Sequence, residues 1–340
     1  MSFILDAWYV IANSDEVRNK PLARRVLDIP IVVFRDSAGR AAALLDICPH
    51  RFAPLSLGVV EAGMLQCPYH GLEFNGAGVC TRNPHGNGAT PSALNVRSYQ
   101  IVEQYGLIWI WLDEKNPSAD TAPPDYRFLV DTDRRTISGY VHLNCNYKLI
   151  VDNLMDLGHA QYVHRSMAAV DTFNRQERKV IADDSSIRCL IKYPGATPTI
   201  SIEKYTKSPS GKIDYYNDIT WYPVSNMIND IAWIQEGGQR SECLSIMGAH
   251  IITPETENSC HYFYSNARNF ALDEPAADQA IRAQQQQLLV REDKPMVEAV
   301  EGARIVAQRF EMRPALLACD EAAVRVAREI SRRERPVEVN

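Results

Sequence analysis

A chain of 340 residues, 46% hydrophobic and 23% charged, has the composition of a soluble globular protein with room for one large core or two ordinary ones. Its formal net charge of −6, without a basic patch, argues against a general partner for nucleic acid or an anionic membrane. The opening MSFILDAWYVIANSDE has no basic n-region, and no run approaches the roughly 18 apolar residues of a spanning helix, so the expectation is a cytoplasmic protein.

From Ala7 to Trp111 the texture is that of short β-strands. IPIVVFRD (29–36), AAALLDIC (41–48), NVRSYQIVEQ (95–104) and GLIWIWL (106–112) are β-branched or aromatic, punctuated by Gly, Pro and Asp. DSAGR (36–40) reads as a hairpin turn. The pattern predicts a small β-sandwich or barrel, closed off by a linker with three prolines, DEKNPSADTAPPDY (113–126). Beyond it a helix is expected over 146–165 and strands at 186–194, 199–206, 215–223, 244–254 and 259–270. Helices follow at 274–309 and 320–333, with Pro295 breaking or restarting the first near residue 294. The predicted class is α+β, with an all-β domain over 1–118 and a sheet-plus-helix domain over 119–340.

Eight cysteines are too sparse for a disulfide scaffold. Cys145, Cys189, Cys243, Cys260 and Cys319 have ordinary neighbours and read as plain buried thiols. Cys48 and Cys67 differ, because Cys48-x-His50 and Cys67-x-x-His70 form two tight pairs separated by sixteen residues. Two kinds of site fit such a set: tetrahedral structural zinc, or a Rieske [2Fe–2S] cluster in which two Cys hold one iron and two His the other. A zinc finger usually takes both Cys from one loop and both His from a helix. Here each loop offers one of each, after a strand-like run and beside Pro49, Pro68 and Gly71, which suits a cluster clamped between two turn tips.

DNLMDLGHAQYVH (152–164) raises a second question. Asn153, Asp156 and His159 recur at intervals of three and share one helix face. His164 lies about 140° off that stripe in an ideal helix. Both imidazoles reach one metal only if the helix ends, widens or kinks between them, with Gly158 the expected point. A 2-His-1-carboxylate triad for Fe(II) also needs a carboxylate; Asp152, Asp156 and the remote Asp293 in VREDKPMVEA are candidates. Taken alone, the stretch also fits a core helix with polar spots, and Asp293 an N-cap for a helix restarting at Pro295. A one-electron cluster in the same chain favours the metal reading.

The CPH and CPYH pair, with NLMDLGHAQYVH and EDKPM, resembles the oxygenase components of Rieske non-haem iron oxygenases, and within them the aryl-ether O-demethylases. The likeness runs over nearly the whole chain, through LDICPHRFAPLS, CPYHGLEF, NPHGNGA, NCNYKL, IITPETE and CDEAAVRV. It implies a Rieske domain followed by a helix-grip catalytic domain, assembled as a homotrimer. Cys48, His50, Cys67 and His70 match the cluster ligands, and His159, His164 and Asp293 the ligands of a mononuclear Fe(II). Asn153 falls near that iron, and Asp156 matches a carboxylate bridging His70 of one subunit to His159 of the next.

The resemblance further implies O₂-dependent O-demethylation of a methoxylated aromatic acid to a phenol and formaldehyde. The chain has no Gly-x-Gly-x-x-Gly between strand and helix, so a separate flavin reductase, with or without a ferredoxin, would bring electrons from NAD(P)H. Asn229 and His250 match polar pocket positions of these demethylases. Gln284 stands where the resemblance puts a large aromatic residue, which reshapes the pocket and leaves open hydroxylation of an aryl methyl group, as in toluenesulfonate monooxygenases. A zinc protein or a bare electron carrier are the non-catalytic alternatives.

Overall fold

The computed structural model describes residues 2–118, 121–164, 175–198, 200–206, 208, 210–235 and 238–336. Two compact units divide the chain between Pro123 and Pro124, inside the proline-rich segment. The first unit also takes in residues 253–256 and the described end of the chain, Arg335–Pro336. The expected division at 118/119 lies five residues earlier, and its second residue is outside the described set.

Among its described residues the first unit carries a two-stranded pair, Ser2–Phe3 with Arg335–Pro336, and two larger sheets. The larger runs in the order Trp8–Asn13, Leu107–Trp111, Ser98–Gln104, Ala41–Leu45, Ile29–Arg35, Leu22–Val26; the smaller joins Val59–Glu61, Met64–Gln66, Glu73–Phe74 and Cys80–Arg82. Val32, Phe34, Leu44, Leu55, Leu65 and Phe74 form a fully buried core, and Cys48 and Cys67 belong to it. DSAGR makes the expected turn. The Asp36 carboxylate accepts the N–H of Ala38 and of Arg40, each at 2.9 Å, and Gly39 takes φ +75°, which fixes the register Arg35↔Ala41.

Among the described residues the second unit holds a seven-stranded sheet in the order Arg135–Leu143, Ser259–Arg268, Leu244–Thr256, Asn226–Gln235, Ile213–Tyr222, Ile187–Ala196, Glu177–Ala182. Three of these strands, Arg135–Leu143, Glu177–Ala182 and Asn226–Gln235, are absent from the sequence reading. In Glu177–Ala182 and Asn226–Gln235 polar residues interrupt the period of two; Arg135–Leu143 does alternate, with Ile137, Val141 and Leu143 buried, but Gly139 thins its apolar face. Residues 200–206 correct the reading in the other direction. The expected strand 199–206 is the helix Ile200–Thr206 over its described part, residue 199 lying outside it. Its buried Ile202 and Thr206 are four apart, the helical interval, so packing overrides β-propensity.

The last helices also differ in detail. The run is continuous from Pro275 to Arg309, as Pro275–Gln285, a π-helical stretch Gln286–Asp293, and Lys294–Arg309. Pro295 therefore does not break the run, and the expected restart near residue 294 is met by the α-helical stretch that begins at Lys294. The proline falls in the first turn of the final stretch, where the wider π turn ahead accommodates a residue without an N–H. Glu321–Arg333 follows close to expectation. No helix among the described residues is long and apolar enough to cross a membrane.

The helical run is tied to the sheet through a buried guanidinium. Arg268, with no exposed surface, donates to the carbonyls of Phe270 (3.0 Å) and Ala271 (2.8 Å) and to the Asp278 carboxylate (2.6 Å), whose other oxygen takes Arg135 at 2.8 Å. Asp278→Ala strands that buried charge and is expected to cost about 3–5 kcal/mol of stability. Urea unfolding followed by circular dichroism measures it, and a loss below about 1 kcal/mol would contradict the tie.

Candidate metal centres and their cavity

The two Cys–His loops of the first unit close in the same way. Cys48 N–H donates to the Ala53 carbonyl and Phe52 N–H returns to the Cys48 carbonyl, both at 2.9 Å; Cys67 N–H donates to Leu72 (2.8 Å) and Gly71 N–H to Cys67 (3.1 Å). The fourth residue after each cysteine is left-handed, Phe52 at φ +59° and Gly71 at +70°. Glycine takes that conformation freely, whereas Phe52 holds it under strain while 76% exposed. Asp46 anchors the first loop by accepting the Ser56 N–H (2.7 Å) and hydroxyl (2.6 Å).

The two thiols are buried side by side, and burial first, then the neighbouring thiol, pushes Cys48 up to about 11. The imidazoles of His50 and His70 meet each other further out, 4.4 Å between ring centres. No three of these four donors lie within 4.8 Å of one another, unlike the triad described next. Sulfur paired with sulfur inside and nitrogen with nitrogen outside fits two irons better than one tetrahedral zinc.

In the second unit, Asn146 caps a helix by accepting the Lys148 N–H at 3.0 Å, and the helix Tyr147–Met155 ends there. The break falls at Asp156 (φ −108°, ψ 97°), two residues before the expected Gly158. The Asp156 carboxylate accepts the Gly158 N–H at 2.8 Å, so close that a Cβ on Gly158 would lie 2.9 Å from it. A 3₁₀ turn Leu157–His159 and a short helix Ala160–Val163 follow, ending the described part of the expected helix before residue 165.

His159 closes the 3₁₀ turn and His164 stands where the short helix ends (φ −98°, ψ 54°), and both Nε2 atoms face Asp293 Oδ1, 3.7 Å from His159 and 3.3 Å from His164. Their outer nitrogens are engaged elsewhere. His159 Nδ1–H donates to the Asp156 carbonyl (2.5 Å) and His164 Nδ1–H to the Glu292 carboxylate (2.8 Å). That leaves both Nε2 lone pairs pointing inward. Asp293 is itself helical and makes no capping bond. Its Oδ1 is buried without a hydrogen-bond partner, and burial raises its carboxyl above the ordinary range; Asn153 donates to the same carboxylate. Two imidazole lone pairs beside an orphaned carboxylate oxygen are a donor set for a cation, and two N and one O fit a facial Fe(II) site.

Asp156 is a quarter exposed, with Arg178 Nη2 at 3.8 Å. Cys319 is half-buried rather than a plain core thiol: its Sγ and an Asp320 oxygen lie within 4.8 Å of the Asp156 carboxylate. Glu292 and Arg178 were not singled out from sequence. Glu292 is legible only as the neighbour of Asp293, and nothing near Arg178 marks it.

The triad opens on a cavity of about 660 Å³. One wall is a stacked row, Tyr193 on Tyr215 (5.3 Å) and Tyr215 on Trp233 (6.0 Å). Asn229, His250 and Gln284 all line it. Asn229 is a mid-strand residue opposite Gly248, and its Oδ1 is buried without a partner. Burial pushes His250 down to about 4, so the ring is neutral near pH 7. Its Nδ1 meets the Tyr262 hydroxyl at 2.5 Å; with the hydroxyl as donor, the proton of the neutral ring sits on Nε2. Gln284 is largely exposed, whereas Gln285 is buried on the cavity with its amide nitrogen unpartnered. The signal for Gln285 was available, since it stands four residues after buried Ile281 on the same helix face.

Comparison with known proteins agrees with this arrangement. A Rieske [2Fe-2S] domain matches residues 7–100 and the vanillate O-demethylase oxygenase C-terminal domain residues 143–334. The chain is 52% identical to the oxygenase component of dicamba O-demethylase from Stenotrophomonas maltophilia, over 98% of both chains. It is 36% identical to the oxygenase component of chloroacetanilide N-alkylformylase from Rhizorhabdus wittichii, over 96% of this chain and 94% of that one. A crystal structure of dicamba monooxygenase with non-haem iron and dicamba superposes with a TM-score of 0.87 at 49% identity, over 98% of both chains. The chain belongs to the Rieske non-haem iron oxygenases, as an oxygenase of the O-demethylase type whose cofactors are a [2Fe–2S] cluster and a mononuclear iron.

Proposed function

We propose that the chain is the oxygenase component of a monooxygenase that demethylates a methoxylated aromatic acid. The balance is aryl methyl ether, O₂, two electrons and two protons to phenol, formaldehyde and water. The observation that carries this reading is the triad of His159, His164 and Asp293 opening on a cavity walled by stacked aromatic rings. Cys48, His50, Cys67 and His70 would hold the cluster, and His159, His164 and Asp293 the iron. Bound there, the cluster supplies single electrons and the iron supplies O₂ activation.

The protein's own residues orient the partners and exclude water. Asp156 and Glu292 set the imidazoles of His159 and His164; Asn153 steadies Asp293. The stacked wall receives the ring of the substrate, while His250 Nε2–H and Asn229 receive its carboxylate, with Gln284 at the more open side. A separate reductase, directly or through a ferredoxin, delivers the electrons. In a homotrimer the Asp156 carboxylate would accept the N–H of His70 from a neighbouring copy while the Asp156 carbonyl holds His159 Nδ1–H, so that one residue links the two imidazoles. Exposed Phe52 and Tyr69 beside the cluster histidines, and exposed Phe310, Leu316 and Leu317, support such burial between copies.

Formaldehyde release, one per phenol, from a panel of methoxybenzoates with a surrogate reductase tests the reaction. Release of a benzylic alcohol from methylated arenes, with none from the ethers, would overturn it in favour of methyl hydroxylation.

Two substitutions test the residue roles. Asp156→Asn is expected to keep both metals while turnover falls by about 100-fold or more; turnover within a few-fold of the parent would remove the bridge. His159→Ala should lose the mononuclear iron by elemental analysis while the cluster's visible absorption persists, and loss of that absorption would sink the two-centre assignment.

A further inference from the structure

We propose that Asn266 is a specificity-determining residue. With His250 and Asn229 it forms a polar subsite over Gly248 that takes a carboxylate together with an adjacent hydrogen-bond donor on the substrate ring, such as a hydroxyl. The proposal rests on the aromatic-acid reading above and narrows it to hydroxylated methoxy acids.

Gly248 leaves space that three polar side chains enclose. A Cβ built there would lie 2.9 Å from His250 Nε2, 3.2 Å from Asn266 Oδ1 and 3.4 Å from Asn229 Cβ. Strand geometry explains the convergence. Asn229 stands opposite Gly248, and Asn266 follows Tyr262 and Tyr264 at alternate positions along one face of Ser259–Arg268. Tyr262 lies at the triad end, bonded to His250 and within the influence of the Asp293 charge. Asn266, four residues on, is about 13 Å further along the strand. A group bound there sits away from the iron ligands, which leaves the methoxy group free to face them.

The subsite asks for more than a carboxylate. His250 Nε2–H is a donor, and a carboxylate oxygen answers it. Asn266 turns its carbonyl oxygen toward the same space, and Asn229 Oδ1 is buried without a partner. A carboxylate oxygen facing the Asn266 acceptor would be repelled, whereas Asn229 can offer its amide N–H₂ to the carboxylate. A hydroxyl beside the carboxylate supplies the missing proton, donating to Asn266 while the carboxylate takes His250. Sites built to bond a substrate hydroxyl reject the analogue without it, because the site's own polar group is then left unpaired.

Isothermal titration of the iron-loaded enzyme, kept anaerobic so that nothing turns over, tests this with 2-hydroxy-6-methoxybenzoate and 2-methoxybenzoate. The parent should bind the hydroxylated acid about tenfold more tightly. Asn266→Ala should weaken that acid about tenfold and the plain acid less than about twofold, erasing the preference. Where the alanine variant fails to fold, Asn266→Ser decides, an intermediate preference supporting the subsite. A preference that survives either substitution, or a parent that binds both acids equally, overturns the role of Asn266 and leaves the aromatic-acid reading standing. A parent that binds neither acid overturns both.

Discussion

Two histidines five residues apart cannot face one point from a regular helix, and much of the catalytic unit follows from how this chain meets that constraint. Here the helix ends at His164, and an earlier break at Asp156 orphans backbone groups near a low-dielectric cavity. Asp156 itself satisfies them. Its carboxylate takes the N–H of Gly158, and its carbonyl takes the Nδ1–H of His159. The bonds that repair the broken backbone also fix the tautomer of the first imidazole. The small side of Gly158 is required because the carboxylate closes over it, within 2.9 Å of where a Cβ would be.

The carboxylate side shows the complementary device. Glu292 and Asp293 are consecutive, and a regular helix would turn them about 100° apart. At the end of the π stretch one reaches His164 Nδ1 while the other faces both Nε2 atoms. A wide turn is less well packed than an α turn and persists where function holds it. Left without a cation, Asp293 Oδ1 is a buried acceptor with nothing to accept, a cost of about 1–3 kcal/mol. A cation held by this proposed triad would give that oxygen its partner.

What the sequence made legible follows local pattern. The mixed Cys–His pairs, the 36–40 turn, the helix start near 146 and the problem of two histidines five residues apart facing one point all come from spacing and turn chemistry. The break was misplaced by two residues because glycine looked like the cause, when it is the residue that tolerates the Asp156 side chain. Asn226–Gln235 was unreadable as a strand because Asn229 and Asp230 interrupt its alternation, and Asn229 does so because it faces a polar part of the cavity. Ile200–Thr206 reads as a strand by propensity, and only packing of Ile202 and Thr206 makes it a helix. Pro295 signals a stop only if the turn before it is α-helical. In each case the missing information is tertiary: which side a residue must face.

The same separation explains how one scaffold can serve different substrates. The proposed metal ligands come from helical segments whose backbone irregularities are interlocked, so a change there disturbs several bonds at once. The polar lining of the cavity comes instead from alternate positions of strands, Asn229 on one, His250 on the next and Asn266 on another. A strand residue can change its side chain without altering the ladder that holds it, because backbone pairing is indifferent to what projects from the face. Gly248 shows how little is needed: the absence of one Cβ opens the space that three neighbours then define. Substrate selection can therefore move residue by residue across the sheet while His159, His164, Asp293 and their supporting bonds stay in place.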